Sequence, residues 1–223
     1  MSGSGEATPQ RTRMADQAYQ QIRDAIVRVD LKPGEPLDEK SLSASLSLGL
    51  TPIRDALKRL SWERLATTYP RRGTFVSRID IADEARLTEV RVELEGLAAA
   101  LAAERATAAQ ISELQRLMTD LERGSLQRAD HTDLDLKVHR AIYSAARNEY
   151  LETTLAMYVN LTMRIWNSCL RYEHASTVHI VSQRTVVDAI ADRDAAGARV
   201  AAEKHLRVFS DEVRSTLSRA QEN

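Results

Sequence analysis

Apolar residues recur at helical spacing near the start of the chain. Ala18, Ile22, Ala25, Ile26 and Val29 share one face, which predicts a helix over Met14–Val29. Lys32-Pro33-Gly34-Glu35-Pro36 ends it, because proline cannot continue a helix and glycine favours a turn. Asp38 is placed to cap a short helix holding Leu42 and Leu46, its carboxylate accepting free N–H groups of the first turn. Past Ser47-Leu48-Gly49-Leu50 a second start follows. Thr51 is the expected cap and Pro52 the first helical residue, with Ile53, Ala56, Leu57 and Leu60 on one face. From Leu65 the period shortens. Leu65–Tyr69 and Thr74–Val76 read as two short strands, with Pro70-Arg71-Arg72-Gly73 turning between them. Helix, helix, short turn, helix and basic hairpin is the order of a winged helix-turn-helix.

Beyond Asp80 the pattern is helical throughout. Helices are expected over 83–105, 108–123, 130–147, 149–172, 177–192 and 194–219, with breaks at Arg123-Gly124-Ser125, Asn148 and Asp192–Asp194. The expected fold is therefore mainly α. Residues 1–13 form a disordered lead-in, 14–79 a winged helix-turn-helix with a small β-hairpin, and 80–223 an all-α helical bundle. The join falls at Ser77–Ile81, without a long linker.

Composition adds little to this fold but narrows the function. Hydrophobic residues make up 43% and charged residues 28% of the 223, ordinary values for a globular protein. The net charge of −1 gives no sign of a nucleic-acid partner, but its distribution does. Met1–Asp80 carries 13 Lys/Arg against 10 Asp/Glu, and the remainder 18 against 22, so a mildly basic head precedes a mildly acidic body. Cys169 is the single cysteine, so no intrachain disulfide can form and a reducing cytoplasm is the expected compartment. No apolar run approaches the roughly 20 residues of a membrane span, and the polar N-terminus has no apolar core of a secretory signal. No membrane partner is expected.

The head carries the chemistry of DNA recognition. A helix fits the major groove with its N-terminal residues at base edges. Thr51 can bond a phosphate, and Arg54, one turn in, can fork onto a guanine or a phosphate. Arg71 and Arg72 at the hairpin tip can enter the neighbouring minor groove or clamp the backbone, and Gly73 allows a tight turn close to DNA. Lys40 can reach a further phosphate. Lys58 and Arg59 read as solvated surface.

The body carries polar residues on apolar faces. Asp135 and His139, four apart, share a face that continues through Ile142 and Ala146. His205 sits with Ala198, Ala202, Phe209 and Val213, and Gln183 shares a stripe with His179, Val187 and Ile190. Buried polar groups without partners are costly. Two explanations stand open: a bound divalent metal, since imidazole and carboxylate suit Zn²⁺, Mn²⁺ or Ni²⁺, or a hydrogen-bonded core network. Arg91 can fork onto an effector carboxylate, or pair with Glu95 four residues on in the same helix. Asn148 reads as a pocket hydrogen bonder or a helix cap. Trp62 and Trp166 are expected to pack in the core or at a domain contact, and Cys169 to be a small apolar filler.

These motifs together resemble a known family. Ala18-Tyr19-Gln20-Gln21-Ile22-Arg23-Asp24-Ala25-Ile26, Leu31-Lys32-Pro33-Gly34, Leu37-Asp38-Glu39, Thr51-Pro52-Ile53-Arg54-Asp55-Ala56-Leu57 and Arg71-Arg72-Gly73-Thr74-Phe75-Val76 are similar, in order and spacing, to the GntR family of bacterial regulators. The body is similar to the ligand-sensing domain of its FadR-type subgroup through Glu89–Glu95, Asp135–His139, Asn148, Val186–Ile190 and His205-Leu206. The resemblance implies a homodimer that binds a near-palindromic double-stranded operator, usually as a repressor. It also implies a divalent metal held by one Asp and three His, which presents itself to a small carboxylate effector. Asp135, His139 and His205 match three of those ligands, and Arg91, Glu95 and Asn148 are the effector-binding candidates.

Two positions depart from the family. Gly49-Leu50 stands where Ser-Arg is common before the Thr-Pro step, so an altered operator is expected. Gln183 stands at the third His position. Its neutral carbonyl oxygen is a poorer ligand than imidazole, so it could complete the metal set, or His179, one turn earlier, could replace it. Two rival functions follow: a constitutive DNA-binding protein with a decayed metal site, and a metal-dependent hydrolase built on Asp135, His139 and His205.

Overall fold

A computed structural model describes residues 7–80, 82–123, 128–169 and 177–221. The chain divides into two compact units, Met1–Ile79 and Asp80–Asn223. The described residues hold nine helices and one two-stranded hairpin, the mainly α fold that the hydrophobic pattern predicts.

The first unit contains α1 (Ala7–Val27), α2 (Glu39–Leu46), α3 (Leu50–Trp62), β1 (Ala66–Tyr69) and β2 (Gly73–Val76). α1 begins seven residues ahead of the expected start, inside the stretch read as a lead-in; residues 1–6 lie outside the described residues. Its apolar stripe, Ala18, Ile22 and Ile26, packs on the face of α3 formed by Ile53, Ala56, Leu57 and Leu60. Each such large side chain, fully withdrawn from water, contributes about 2 kcal/mol. Asp38 caps α2 as expected: its Oδ1 accepts the Ser41 N–H at 2.8 Å.

The start of α3 differs from expectation. Gly49 is the cap, without a side-chain hydrogen bond, and Thr51 already lies inside the helix. Pro52 is therefore the third helical residue. It costs no hydrogen bond there, because the first N–H groups of a helix have no carbonyl to reach. β1 and β2 pair antiparallel in the register Ala66↔Val76, Thr67↔Phe75, Thr68↔Thr74 and Tyr69↔Gly73. Both Arg71 (φ 62°) and Gly73 (φ 94°) turn through the left-handed region at the tip, a conformation that is cheap only for glycine. The segment after α1 closes the free edge of β2, with Gly34 N–H donating to Val76 O at 2.9 Å and Leu37 N–H to Thr74 O at 2.8 Å.

The second unit contains α4 (Ala82–Arg105), α5 (Ala108–Glu122), α6 (Arg128–Ala145), α7 (Glu149–Cys169), α8 (Thr177–Ala191) and α9 (Ala195–Gln221). α4 lies along α9, and the contact face is made of small residues: Ala98, Ala99, Ala102 and Ala103 of α4 are fully buried, as are Ala198 and Ala202 of α9. Small side chains let the two backbones approach closely. Thr107 and Gln110 form a reciprocal capping box at the start of α5. Residues 124–127, 170–176 and the Cys169 side chain lie outside the described residues, and with them the expected Gly124-Ser125 break. Among the described residues no helix is long and apolar enough to cross a membrane.

Candidate functional site

Two sets of residues carry chemistry, one in each unit. In the first, the Thr51, Arg54, Lys40, Arg71, Arg72 and Gly73 side chains or backbone are exposed, on α3, α2 and the hairpin tip. Pro52 is the exception. Its ring is buried, because it lies on the α3 face that meets the core, and it faces no groove. The Arg54 Nε donates to Glu39 Oε2 at 2.6 Å, so a carboxylate from α2 holds the guanidinium at the front of α3. Leu50 opens α3 and is 38% exposed. Arg59 is occupied structurally: its guanidinium lies 3.6 Å above the Tyr19 ring and pairs with Glu63 at 3.1 Å. Trp62 does not enter the core of its unit; it is 82% exposed at the end of α3.

The second set is buried inside the helical unit. α4, α6, α8 and α9 bring Arg91, Glu95, Asp135, His139, His179, Gln183 and His205 together, every one of them at most 5% exposed. Arg91 donates through Nε to Glu95 Oε1 at 2.7 Å, with Nη2 at 2.5 Å from the same oxygen. The pair follows from the i,i+4 spacing on α4. The fork expected to reach an effector carboxylate is therefore engaged within the protein. Burial favours the neutral form of Glu95, but the Arg91 guanidinium and His139 outweigh it and hold the carboxyl down at about 2.

The other oxygen of Glu95 lies 3.2 Å from His139 Nδ1. The Tyr143 hydroxyl lies 3.4 Å from the same nitrogen, and an ionised carboxylate only accepts, so Nδ1–H faces Glu95 and Nε2 is the nitrogen left over. His205 is fixed the same way by a different partner. Its Nδ1 lies 2.8 Å from Ser182 Oγ, and that hydroxyl spends its single proton on the His179 carbonyl, also at 2.8 Å. Nδ1 must donate, and Nε2 is left as a buried lone pair with no partner among the described residues. Burial, then His179 and His139, push the His205 imidazole well below its ordinary value, so the ring is neutral. Asp135 faces a different imidazole: its Oδ1 lies 3.1 Å from His179 Nε2. Burial raises this carboxyl, but the His179 imidazole beside it outweighs burial and holds it well below the usual carboxylate range.

Glu95, His139, Gln183 and His205, with Ile142, Val186 and two alanines, line a small cavity in which space for the centre of a water molecule amounts to about 10 Å³. That is room for one water or one small ion. Neither amide atom of Gln183 has a partner there. An Asp carboxylate and two imidazoles are ligand types that suit a divalent cation, but Asp135 is not among the residues that line this cavity. Among the described residues, however, no three His, Cys, Asp or Glu side chains are gathered closely enough to hold one.

Asn148 is elsewhere. Its Oδ1 accepts the Leu151 N–H at 3.2 Å as the cap of α7, and it borders a separate surface hollow with Arg105, Arg147 and Tyr150. Residues that sequence reasoning missed include Ser182 and Tyr143, which lock the cluster, and His179, named only as a substitute for Gln183. The i,i+3 step from His179 to Ser182 was visible in the sequence, but that serine hydroxyls choose tautomers depends on the fold. Trp166 packs in the core as expected, stacked on His179 with ring centroids 6.4 Å apart.

Comparison with known proteins agrees with this two-part layout. Residues 14–76 match the bacterial regulatory proteins of the gntR family, and residues 86–208 match the FCD domain. A HTH-type transcriptional regulator in an unstable DNA locus of Streptomyces ambofaciens is 31% identical over 206 residues, covering 91% of this chain and 86% of its own. The Nta operon transcriptional regulator of Aminobacter aminovorans is 29% identical over 200 residues, covering 86% and 92%. The HTH-type transcriptional repressor RspR of Escherichia coli K12 is 26% identical, covering 89% and 88%. Among solved structures, E. coli McbR/YncC superposes with a TM-score of 0.79 at 21% identity, over 92% of this chain and 98% of the other. These relatives are regulators, and the hydrolase reading falls with them.

Proposed function

The chain belongs to the gntR family of bacterial regulatory proteins and is a transcriptional regulator with an FCD effector-binding domain, and from that premise we propose that it represses an operator and releases it on binding a small organic acid. One relative is named a repressor, which supports the direction of control. A homodimer acting in the cytoplasm, with one α3 in each half-site of a near-palindrome, is the assembly this reading requires.

On the DNA side, Thr51 and Lys40 hold phosphates, Arg54 reads a base edge, and Arg71, Arg72 and Gly73 form the wing contact. Their exposure supports the assignment. On the sensing side, the observation that carries the reading is the buried His205 Nε2 lone pair, aimed at nothing among the described residues. Native proteins rarely leave such an atom unsatisfied, so it marks a place for a ligand. Asp135, His139 and His205 are the residues that would hold a divalent cation such as Zn²⁺, Mn²⁺ or Ni²⁺. A bound cation there supplies positive charge for an effector carboxylate. Glu95 and Ser182 keep the two imidazole lone pairs turned inward, and Arg91 keeps Glu95 ionised. An effector that binds the two states of the body unequally shifts DNA affinity by that difference and no more.

The test is fluorescence anisotropy of labelled duplexes from the DNA flanking the protein's own gene, at several salt concentrations, repeated with small carboxylic acids and added metal. Specific binding weakened by at least one acid is expected. Failure to prefer any duplex over random DNA would refute the operator reading, and insensitivity to every acid would refute the sensing reading.

A further inference from the structure

α4 is apolar on two sides. Through one side, with Val92, Ala98, Ala99, Ala102 and Ala103 buried, it packs in the helical unit on α6, α7, α8 and α9. Leu87, Val90, Leu94, Leu97 and Leu101 belong to the other. They follow one another at alternating steps of three and four residues, so they form one stripe along the helix, opposite Val92 and Ala99. Val90 is 44% exposed and the four leucines are half-buried. This is the spacing of a helix that packs lengthwise on a second helix, each apolar side chain seated among four of its neighbour's. Exposed carboxylates, Asp83 and Glu104, take the next positions of the same spacing at the two ends. Asp83 is already paired with Arg86 one turn on, at 2.6 Å.

Resting on the homodimer reading above, we propose that this stripe is the seam on which a second copy of the chain docks, α4 against α4 and antiparallel. A two-fold contact requires a surface that complements itself, and the stripe does so in reverse. Val90 faces Leu101 of the second copy and Leu94 faces its Leu97, and each layer occurs twice. Charge selects the direction. A parallel pair sets Glu104 against Glu104 at the end of the seam, a like-charge contact that opposes docking. The antiparallel pair separates them and brings each Glu104 within one residue of Arg86 of the second copy. The length of the helix points the same way. α4 has 24 residues and is about 36 Å long. It starts at Ala82, with only two residues between it and the DNA-binding unit. An antiparallel pair sets the two starts about one helix length apart, close to the roughly 34–36 Å between half-sites one DNA turn apart. A parallel pair sets them side by side, within about 10 Å.

The experiment uses the full-length chain. For direction, Val90→Cys and Leu101→Cys chains, one of them carrying a tag, are co-expressed in a Cys169→Ser background and oxidised with copper phenanthroline. A disulfide joining the two different chains is expected, and Val90→Cys expressed alone is expected to stay uncross-linked. Cross-linking of Val90→Cys to itself in place of the mixed pair makes the contact parallel, and no cross-link in either sample removes the seam; both overturn the inference. For the seam itself, sedimentation velocity over a concentration series compares wild type with Leu97→Glu, with circular dichroism as the check of folding. Two carboxylates forced into the central layers are expected to raise the dimer dissociation constant at least about 100-fold. Val200→Glu, on α9 at a residue 63% exposed, is expected to leave it unchanged. A Leu97→Glu dimer as tight as wild type overturns the inference and leaves the homodimer reading standing. A wild type that is monomeric at every concentration, alone and on operator DNA, ends the homodimer reading, and this inference with it.

Discussion

The Ser182 hydroxyl fixes the tautomer of His205. Its proton goes to the His179 carbonyl, so towards His205 Nδ1 it can only accept, and the His205 lone pair is turned to the cavity. Ser182→Ala removes that constraint without touching any atom that faces the cavity. Loss of an outer-shell partner of this kind lowers metal affinity by about 10- to 100-fold. The variant is expected to fold and bind DNA as wild type does, while competition against a chromophoric chelator shows weaker binding of Zn²⁺ or Ni²⁺. Unchanged metal affinity in Ser182→Ala would show that the hydroxyl has no part in orienting the ring.

The buried Arg91–Glu95 pair predicts a stability effect that depends on which partner is removed. Glu95→Gln leaves a guanidinium without its countercharge in the interior and is expected to cost about 3 kcal/mol or more. Replacing both, as Arg91→Met with Glu95→Leu, removes the unpaired charge and is expected to recover most of that loss. Urea denaturation of the three variants checks it. A double variant as unstable as Glu95→Gln would mean that the pair stabilises through its own attraction and not merely by mutual neutralisation.

The same carboxylate ties stability to acid. Its folded value, held at about 2, lies below the ordinary 4.5, so the unfolded chain binds this proton more readily. The stabilisation is complete above about pH 4.5 and is lost as pH falls from there towards 2. Melting temperature measured across that window is expected to drop more steeply for wild type than for Glu95→Gln. Parallel curves would assign the acid sensitivity to other groups.

How much of this was legible in the sequence depended on the range of the interaction. Helical periodicity found the body helices because apolar stripes are a local consequence of burial on one side. Asp38 was readable as a cap for the same reason. Thr51 was not a cap, since Gly49 already takes the extended cap conformation and the helix opens at Leu50. The polar cluster was half legible. Asp135, His139 and His205 were visible as polar residues on apolar faces, and Arg91 with Glu95 as an i,i+4 pair. What the cluster does with its protons was not, because the Ser182–His205 and Glu95–His139 contacts join different helices. Asn148 offered two roles in sequence, and only its position at the start of α7 separates them.

In the first unit, the wing arginines and Arg54 should differ in kind. Arg71→Ala and Arg72→Ala are expected to weaken binding evenly across duplex sequences and to lower the slope of log affinity against log salt by about 1 each, the signature of lost phosphate contacts. Arg54→Ala is expected to cost about 1–3 kcal/mol on the preferred operator and to relax the sequence requirement at one position of each half-site. Anisotropy on a panel of single-base operator variants separates the two patterns. An even loss for Arg54→Ala would place it on the backbone with the wing residues.

Leu50 provides the converse experiment, a gain in place of a loss. It opens α3, one helical turn before Arg54, and its side chain is 38% exposed where an arginine could reach a base edge. Leucine offers only apolar contact, which suits a thymine methyl and cannot bond guanine. Leu50→Arg adds a five-donor fork and a positive charge at the end of the helix that enters the groove. The charge steepens the salt dependence of all DNA binding by about one counterion. The fork should add a preference for guanine at one position of each half-site, about tenfold over the other bases. Selection of bound sequences from a randomised duplex pool, run in parallel on wild type and Leu50→Arg, reads both effects. Stability should change little, because Leu50 lies outside the buried face of α3 formed by Pro52, Ile53, Ala56, Leu57 and Leu60. Identical selected sequences from the two proteins would mean that the first turn of α3 does not meet base edges, and the recognition assignment would have to move to the wing.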